Sequence, residues 1–391
     1  MRALIQRLKE DFSLTLHRTL GLLLGLIVRR RRLVVFCNYR GRGYGDNLSP
    51  VAEEIRRRNI PVRMVWLVRN LHEEIPEGIE KLKLGWIREK LLLSSANVFL
   101  SNTKDTPFYW KRRGAYYIQT WHGDMPFKYI EAECKDMLSR YYRLQSIGDS
   151  LRTDYILSGS SFFSNLARNS FWYPDSSKIL EYGIPRNDIF FKTSAKEVLD
   201  FKRKKFGAED VKVVLYAPTF REKTSNQVCK LDAFALRQAV EKRFGGRWIV
   251  VVRLHPLVAK YATMFEYDEK TVNGTLIEEG QLLSLAADLL VSDYSSIVEE
   301  FIIQKKPVFL YVPDIDRYIN EERKLRDLYF KLPFPRCEDM DSLVREIALF
   351  DGEAYRRKLN QFIDADYQIF DDGHASERVV DLIENLIDEA V

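Results

Sequence analysis

Short runs of β-branched and aromatic residues alternate along the chain with longer segments in which apolar residues recur at helical spacing. Strands separated by helices in this way predict parallel sheets with right-handed crossover connections. The expected strands are 33–37, 62–68, 97–101, 116–120 and 155–158 in the first half, and 212–217, 248–253, 275–277, 288–292 and 307–312 in the second. The expected fold class is therefore α/β.

The length of the chain, 391 residues, favours two domains, because single domains usually hold about 100–200 residues. The turn-rich segment 183–188, followed by a charged stretch over 192–205, is typical of a boundary between domains. We expect an N-terminal domain over residues 33–190 and a C-terminal domain over 191–391. Ligands usually bind at the carboxyl ends of parallel strands, in the cleft that two such domains form.

The first 32 residues have the pattern of a membrane-surface helix. Their apolar residues form one stripe at helical spacing, made of Leu8, Phe12, Leu16, Leu20, Leu23 and Ile27. The apolar run over 20–28 is too short to cross a bilayer, which takes about 20 residues, and four arginines follow it at 29–32. An amphipathic helix that ends in a basic cluster suits an anionic membrane surface, so residues 1–32 predict peripheral attachment. A helix packed on the protein's own body and a targeting peptide remain the alternatives.

The charge distribution narrows the possible partners. The net charge is +5, yet residues 1–43 alone hold ten basic and two acidic residues, so the rest of the chain is slightly acidic. A slightly acidic body excludes a general nucleic-acid-binding surface. The four cysteines form no CxxC pair, which excludes a disulfide scaffold and a cysteine zinc site. The sequence offers no clear metal site, and no cofactor is expected.

A histidine at the end of a predicted strand is the first candidate for catalysis. His122 follows the strand 116–120 and precedes a glycine, so it is placed to reach into a cleft. The pKa of an unperturbed histidine, about 6.5, suits a general base. A loop histidine that bonds to backbone carbonyls remains the alternative. A flexible loop with Gly41, Gly43 and Gly45 follows the first strand, and it fits an acceptor site or a simple tight turn equally well.

Two further strand ends carry candidate phosphate ligands. Arg253 and His255 share one face at the end of the strand 248–253, because Leu254 stands between them. A cation and a histidine on one face predict an anion such as a phosphate, with an ordinary surface pair as the alternative. Thr219 and Arg221 end another strand and are candidates for contact with a nucleotide or phosphate, with a capped loop as the alternative.

The segment from Asp293 to Glu300 opens a predicted helix directly after the strand 288–292. Asp293 or Ser295 can act as the N-cap of this helix. Free backbone N–H groups, together with the hydroxyls of Ser295 and Ser296, predict a phosphate site at the helix N-terminus. Plain helix capping remains the alternative.

Seven short motifs stand along the chain in an order that resembles one protein family. They are WHG at 121–123, GIPRND at 183–188, LYAPTFR at 215–221, RLHP at 253–256, SDYSS at 292–296, KKPVFLY at 305–311 and DGHASERV at 372–379. Together they resemble the CDP-glycerol glycerophosphotransferase family, the teichoic-acid-type polyol-phosphate transferases, over about residues 33–385. The resemblance implies a GT-B-like fold, with two Rossmann-like domains and a central cleft.

The matching motifs also imply a role for each candidate residue. His122 corresponds to the family's general base, and His255 to the histidine that stabilises the donor diphosphate. Ser295 and Ser296 match the phosphate-binding serines. The remaining residues implied to contact the donor are Thr219, Arg221, Arg253, Asp293 and Glu300. Of these, Glu300 is implied to lie near the ribose hydroxyls. In the implied mechanism His122 removes the acceptor proton during attack on the β-phosphorus, and no metal is required.

The implied reaction moves glycerol phosphate, or a related polyol phosphate, from CDP-glycerol or CDP-ribitol to a hydroxyl of a lipid-linked acceptor and releases CMP. The resemblance also implies attachment to the cytoplasmic face of the cell membrane, and the single GT-B unit favours a primer-type enzyme over a long-chain polymerase. A GT-B glycosyltransferase with a nucleotide-sugar donor, and a membrane-bound binding protein with a decayed site, are the alternative functions. Departures from the commoner pattern at Glu299 and at Asp124-Met125 concern the acceptor and the polyol.

Overall fold

The computed structural model describes residues 32–104, 111–175, 177–219, 221, 231–254, 262–322 and 324–389, together with residues 15, 16, 19 and 23. Most of the predicted membrane helix over 1–32, and His255, lie outside the described residues. The chain forms two compact units. The first contains Met1–Asp124, Ile130–Asp188 and Phe370–Val391, and the second contains Met125–Tyr129 and Ile189–Ile369.

The first unit is built on a seven-stranded parallel sheet. Its strands are β1 (Leu33–Cys37), β2 (Arg63–Val68), β3 (Glu80–Lys83), β4 (Val98–Ser101), β5 (Tyr116–Gln119), β6 (Tyr155–Leu157) and β7 (Lys178–Leu180). Their order is β3-β2-β1-β4-β5-β6-β7, and every neighbouring pair is parallel. The chain therefore builds outward from β1 on one side and then on the other, as in doubly wound sheets that bind ligands beyond the carboxyl ends of their strands.

The helices of the first unit cover this sheet. They are α1 (Leu48–Arg57), α2 (Trp86–Ser95), α3 (Arg140–Ser150), α4 (Ser161–Ser170) and the C-terminal helix (Ala375–Asp388), with short 3₁₀ helices at Glu131–Cys134 and Pro185–Asp188. Val379, Val380 and Ile383 of the C-terminal helix are buried in the same apolar core as Val34 and Trp66 of the sheet. The last segment of the chain therefore belongs to the first unit, whereas the expected C-terminal domain over 191–391 included it.

The second unit holds a six-stranded parallel sheet. Its strands are β8 (Lys212–Ala217), β9 (Trp248–Val252), β10 (Thr271–Asn273), β11 (Leu289–Ser292), β12 (Val308–Tyr311) and β13 (Arg336–Cys337). Their order is β10-β9-β8-β11-β12-β13, again with all neighbours parallel. The central strands are buried except at Lys212, the first residue of β8, as expected for a sheet that is covered on both faces.

The helices of the second unit precede, connect and follow these strands. In chain order they are α5 (Ile189–Lys192), α6 (Ala195–Phe206), α7 (Ala233–Phe244), α8 (Gly280–Ala286), α9 (Val298–Ile303), α10 (Ile315–Arg317), α11 (Asp327–Lys331), α12 (Met340–Ala348) and α13 (Gly352–Phe362), with π-helical turns at Tyr318–Glu322 and Ile363–Tyr367; the C-terminal helix Ala375–Asp388 of the first unit is α14. Among the described helices, none combines the length and apolar character that crossing a bilayer requires.

One expected strand lies at a different place, and three further strands were not expected. The stretch 275–277 is not a strand, because the chain turns back at Gly274, whose carbonyl accepts a hydrogen bond from the amide of Ile277. The strand beside β9 is β10, which ends just before this turn. The unexpected strands β3, β7 and β13 lie at the sheet edges and have two to four residues each, so they carry little apolar pattern.

Candidate functional site

His122 lies in the loop that follows β5, where the backbone makes a sharp turn. Trp121 has a left-handed backbone, with φ of 53°. Its ring is buried against Phe171, with ring centroids 4.9 Å apart, while His122 remains partly exposed with its ring centroid 4.3 Å from that of Trp121. The buried tryptophan thus anchors the loop and leaves the histidine at its surface, at the carboxyl edge of the sheet.

A backbone carbonyl fixes the protonation pattern of His122. The distance from His122 Nδ1 to the carbonyl oxygen of Asn102 is 2.8 Å. A carbonyl oxygen can only accept, so Nδ1 carries the proton, and the lone pair of the neutral ring is on Nε2. A loop histidine bonded to backbone carbonyls was the alternative to a functional one, and here that contact leaves Nε2 as the basic nitrogen.

The charged neighbours of His122 come from two distant segments. Arg186 donates from Nη1 to the carbonyl oxygen of His122 at 3.2 Å and to Oδ2 of Asp46 at 3.0 Å. The Tyr39 hydroxyl donates to the same oxygen of Asp46 at 2.7 Å, and the Tyr39 ring lies beside the imidazole with centroids 5.8 Å apart. Asn47, next to Asp46, donates to the carbonyl of Trp121 at 3.0 Å.

The electrostatics keep Asp46 ionised. Burial opposes the charged form, but the Arg186 cation, the Tyr39 hydroxyl and the Asn47 amide outweigh it and lower the pKa of the Asp46 carboxyl. When protonated, His122 adds to the same lowering of that pKa. A carboxylate and a guanidinium therefore stand together beside the candidate base.

Sequence reasoning did not pick out Asp46, Arg186 or Tyr39 as site residues. Arg186 does lie in the GIPRND motif, where its cation was the signal that could have been used. Asp46 lies at the end of the glycine-rich loop. The structure brings both to the WHG motif because the loop after β1 and the 3₁₀ turn Pro185–Asp188 lie close to the loop after β5.

Strained backbone is concentrated around His122. Four non-glycine residues in this region, at the ends of β1 and β5, have positive φ: Tyr39 (39°), Arg40 (60°), Asp46 (52°) and Trp121 (53°). Such conformations cost on the order of 1–3 kcal/mol each and persist only where the surroundings fix them, which is typical of functional sites.

Asp124, one of the departures from the family pattern, has a structural contact. It is buried and accepts hydrogen bonds from the amide of Gly159, at 2.9 Å, and from the hydroxyl of Ser160. Ser160 in turn caps α4 by accepting from the amide of Phe163. The aspartate therefore ties the loop after β5 to the loop after β6.

In the second unit, the SDYSS motif forms a turn after β11. The expected helix begins only at Val298 and has six residues, and neither Asp293 nor Ser295 caps it, because the N-cap position is Ile297. The Ser295 hydroxyl accepts from the amide of Ile297 at 3.4 Å. The amides of Ser295 and Ser296 and the Ser296 hydroxyl make no hydrogen bond to any residue that the structure describes. The turn itself, rather than a helix dipole, thus presents these donors.

Asp293 holds this turn to the end of β8. Its Oδ1 accepts from the amide and hydroxyl of Thr219, at 2.8 and 2.6 Å, and from the amide of Tyr294 at 2.6 Å. Its Oδ2 accepts from Nη2 of Arg221 at 2.8 Å. Both oxygens are engaged, and the residue is buried.

Arg221 is enclosed by protein groups. Its side chain has 0% exposure, Nε donates to Asp314 at 3.0 Å, and Nη1 donates to the carbonyl of Thr219 at 2.7 Å. The guanidinium carbon lies 4.8 and 4.6 Å from the ring centroids of Tyr294 and Tyr318. Burial works against its charge, yet the two carboxylates raise the pKa of Arg221 above its ordinary value. The structure thus places Arg221 behind the SDYSS turn, where it supports Asp293.

Arg253 follows β9, as predicted, and forms hydrogen bonds with the turn before α8. Its Nη1 donates to the carbonyls of Gly274 and Ile277, at 3.0 and 2.6 Å. Burial lowers the pKa of Arg253, and the carboxylates of Glu300 and Glu279 oppose that shift. Nε and Nη2 make no hydrogen bond within the described part of the chain. Glu300 is buried in α9.

Two doubly wound parallel sheets, with a histidine at the carboxyl edge of one and a serine turn at the carboxyl edge of the other, define an α/β protein with candidate ligand sites at its strand ends. The chain belongs to the CDP-glycerol:poly(glycerophosphate) glycerophosphotransferase family, whose profile matches residues 23–385. It is therefore an enzyme of that transferase family.

Individual relatives agree with this assignment. The chain is 28% identical over 376 residues to the teichoic acid poly(glycerol phosphate) polymerase of Staphylococcus epidermidis, and the match covers 92% of this chain and 51% of that protein. It is 28% identical over 378 residues to the teichoic acid glycerol-phosphate transferase of Staphylococcus aureus, covering 90% and 93%. A variant of the wall teichoic acid polymerase TagF soaked with CDPG has the same fold, with a TM-score of 0.80, 25% identity and coverage of 99% and 98%. The chain thus spans about half of the first relative and nearly all of the second.

Proposed function

We propose that this protein transfers glycerol phosphate, or a related polyol phosphate, from a CDP-activated donor to a hydroxyl of a membrane lipid-linked acceptor in teichoic acid synthesis. The observation that carries the proposal is the His122 tautomer, within a chain whose family is matched over nearly its full length. A base nitrogen at the carboxyl edge of the first sheet is what a hydroxyl acceptor requires. The CDPG-soaked TagF variant supports a CDP-linked donor.

In the proposed reaction, the acceptor hydroxyl attacks the β-phosphorus of the CDP-polyol, which carries the polyol. A new P–O bond forms to the acceptor oxygen, and the hydroxyl proton passes to Nε2 of His122. The bond between the β-phosphorus and the bridging oxygen breaks, and its electron pair leaves with CMP. Negative charge grows on that oxygen, so donors aimed at it lower the barrier.

The donor site in this proposal lies in the second unit, and the acceptor site in the first, as in a GT-B enzyme. His255 and Arg253 stabilise the diphosphate, and the Ser295-Ser296 turn binds its oxygens through backbone N–H groups and hydroxyls. Glu300 meets the ribose hydroxyls. Thr219, Arg221 and Asp293 act as positioning residues, because their polar groups are directed to one another.

The deciding experiment compares donors. Purified protein is incubated with CDP-glycerol, CDP-ribitol and nucleotide-sugars in the presence of defined lipid-linked acceptors, while nucleotide release and acceptor mass are followed. We expect CMP release and acceptors enlarged by one or a few polyol phosphates. Transfer of a sugar with release of a nucleoside diphosphate would instead identify a GT-B glycosyltransferase.

Replacing Ser295 and Ser296 together by alanine is expected to weaken donor binding, because two hydroxyl contacts to the diphosphate are lost. The loss amounts to about 10-fold or more in Kd at roughly 1 kcal/mol for each hydrogen bond. Calorimetric titration with CDP-glycerol measures the change. Ser342→Ala is the control, since the hydroxyl of this serine bonds to the backbone of Asp339, the N-cap of α12 in the same unit. Unchanged affinity in the double variant would show that the serines only shape the turn.

We further propose that residues 1–32 attach the protein to anionic membrane. Deleting residues 1–31 should abolish sedimentation with phosphatidylglycerol vesicles while the body stays folded. Arg32 is retained because its Nε donates to the carbonyl of Pro61. Binding of the full chain should weaken as salt rises, since the arginine charges are screened.

Two comparisons sharpen the membrane test. Neutral phosphatidylcholine vesicles separate charge from apolar insertion, and a full-length variant with glutamine at positions 29–31 keeps the apolar stripe but removes three charges. The proposal fails if the full chain ignores anionic vesicles at low salt, or if the shortened chain binds them equally well.

A further inference from the structure

Two charged side chains with little exposure meet beside His122 and have no part in the proposed bond-making steps. Asp46 and Arg186 have side-chain exposures of 8% and 10%, and their ion pair joins the loop after β1 to the 3₁₀ turn Pro185–Asp188. Taking two charges out of water is costly unless each gains good partners. Such a pair at the edge of a candidate active site therefore calls for a function beyond stability.

Two sets of contacts connect Asp46 and Arg186 to His122. One runs through the backbone, where Arg186 Nη1 binds the His122 carbonyl oxygen. The other runs through Tyr39, whose hydroxyl binds Asp46 and whose ring lies beside the imidazole. The Tyr39 amide also donates to Oδ1 of Asn102. The backbone carbonyl of the same residue accepts the hydrogen bond from His122 Nδ1.

We propose that Asp46 and Arg186 form a positioning pair that fixes the His122 ring for proton transfer. The pair deepens the proposed function, and its relevance to turnover rests on that function. Neither residue is assigned a contact with substrate, so both act through His122. The strained backbones of Tyr39, Asp46 and Trp121 fit this assignment, because strain at these positions persists only where neighbouring contacts hold it.

The pair also balances charge around the base. The Asp46 carboxylate favours the imidazolium that forms when His122 takes up a proton, and the Arg186 guanidinium opposes it. These charges reach His122 from the loop after β1 and from the 3₁₀ turn, whereas its contacts with Asn102 and Trp121 are with uncharged groups. Removing one charge or the other should therefore shift the titration of His122 in opposite directions.

The experiment measures the His122 titration directly by NMR, on full-length protein labelled with ¹³C only at its five histidines. The His122 signal is assigned from its absence in His122→Ala. Asp46→Asn should lower the midpoint of the His122 titration by about 0.5 pH unit or more, and Arg186→Met should raise it by a similar amount. The double variant should return the midpoint toward that of the wild type.

A matched control lies elsewhere in the same unit. Arg378 also bridges an aspartate, Asp372, and a backbone carbonyl, that of Tyr182. Arg378→Met should leave the His122 midpoint and kcat unchanged. Should Arg186→Met fail to fold, Tyr39→Phe tests the same connection mildly, because it removes only the hydroxyl that binds Asp46. It should lower kcat several-fold without changing the donor KM.

Turnover supplies the second readout. Asp46→Asn and the double variant should both lower kcat while the donor KM stays near the wild-type value, because geometry at the base is disturbed and donor contacts are not. Identical midpoints in wild type, Asp46→Asn and Arg186→Met, or shifts in the same direction, would overturn the positioning pair. An absence of any transfer by the wild-type protein would instead refute the proposed function, and the NMR result would stand on its own.

Discussion

Replacing His122 by alanine is expected to lower kcat by about 10²–10⁴-fold and to leave the donor KM nearly unchanged. The variant loses the Nε2 lone pair that accepts the acceptor proton, while the donor contacts assigned to the second unit remain. In the wild type, Nδ1 is bound to the Asn102 carbonyl, so Nε2 is the ring nitrogen that can accept this proton. Initial rates of CMP release at saturating acceptor give both constants.

The control for this variant is His374→Ala. His374 is exposed, and its Nδ1 pairs with Glu377 on the C-terminal helix, so its loss should not affect transfer. Raising the donor concentration should not restore activity to His122→Ala, since binding is not its defect. Turnover of His122→Ala within a few-fold of the wild type would remove the general-base assignment and leave the histidine as a structural loop residue.

The central strands could be predicted from sequence because their pattern is local. β9 is apolar along its whole length and β8 is apolar after Lys212, as expected of parallel strands covered on both faces. Edge strands carry no such signal. In β3 the sequence Glu-Lys-Leu-Lys is largely exposed, and only its pairing with β2 makes it a strand. That pairing depends on the completed sheet, so local reasoning does not find it.

The candidate site, too, could be predicted from sequence only where its signal is local. The sequence predicts that His122 follows a strand, and the structure has it in the loop after β5, whereas its catalytic role stays a prediction. Its partner is the carbonyl oxygen of Asn102, and a backbone carbonyl has no residue signature that a sequence could reveal. Asp46 and Arg186 are 140 residues apart and meet only when the loop after β1 reaches the 3₁₀ turn.

Burial separates the residues near the SDYSS motif that were expected to contact the donor into those that can face a ligand and those that support them. Thr219, Arg221 and Asp293 were all expected to contact the donor, since each follows a strand. In the structure their polar groups satisfy one another, and Asp314 and Tyr318 complete the enclosure of Arg221. Which strand-end residues face a ligand, and which support those that do, depends on segments about 90 residues downstream in sequence.

The burial of Arg221 between two carboxylates predicts a large effect on the stability of the protein. Arg221→Met is expected to lower the free energy of unfolding by about 3–5 kcal/mol, because it removes the cation from two buried carboxylates and leaves Asp293 and Asp314 without their ion-pair partner. Methionine keeps much of the apolar stem, so the loss reports on the charge more than on the volume. Chemical denaturation, followed by tryptophan fluorescence and by circular dichroism, measures the change.

Arg247→Met provides the matched control, since Arg247 pairs with Asp210 in the same unit but is 56% exposed, and exposed pairs contribute about 1 kcal/mol or less. Donor affinity then separates the two possible roles of Arg221. A positioning residue should lose stability and donor affinity together, because the Ser295-Ser296 turn loosens when Asp293 is released. A direct donor ligand would lose affinity while the unfolding midpoint stayed within the range of the Arg247→Met control, and that outcome would return Arg221 to the donor site.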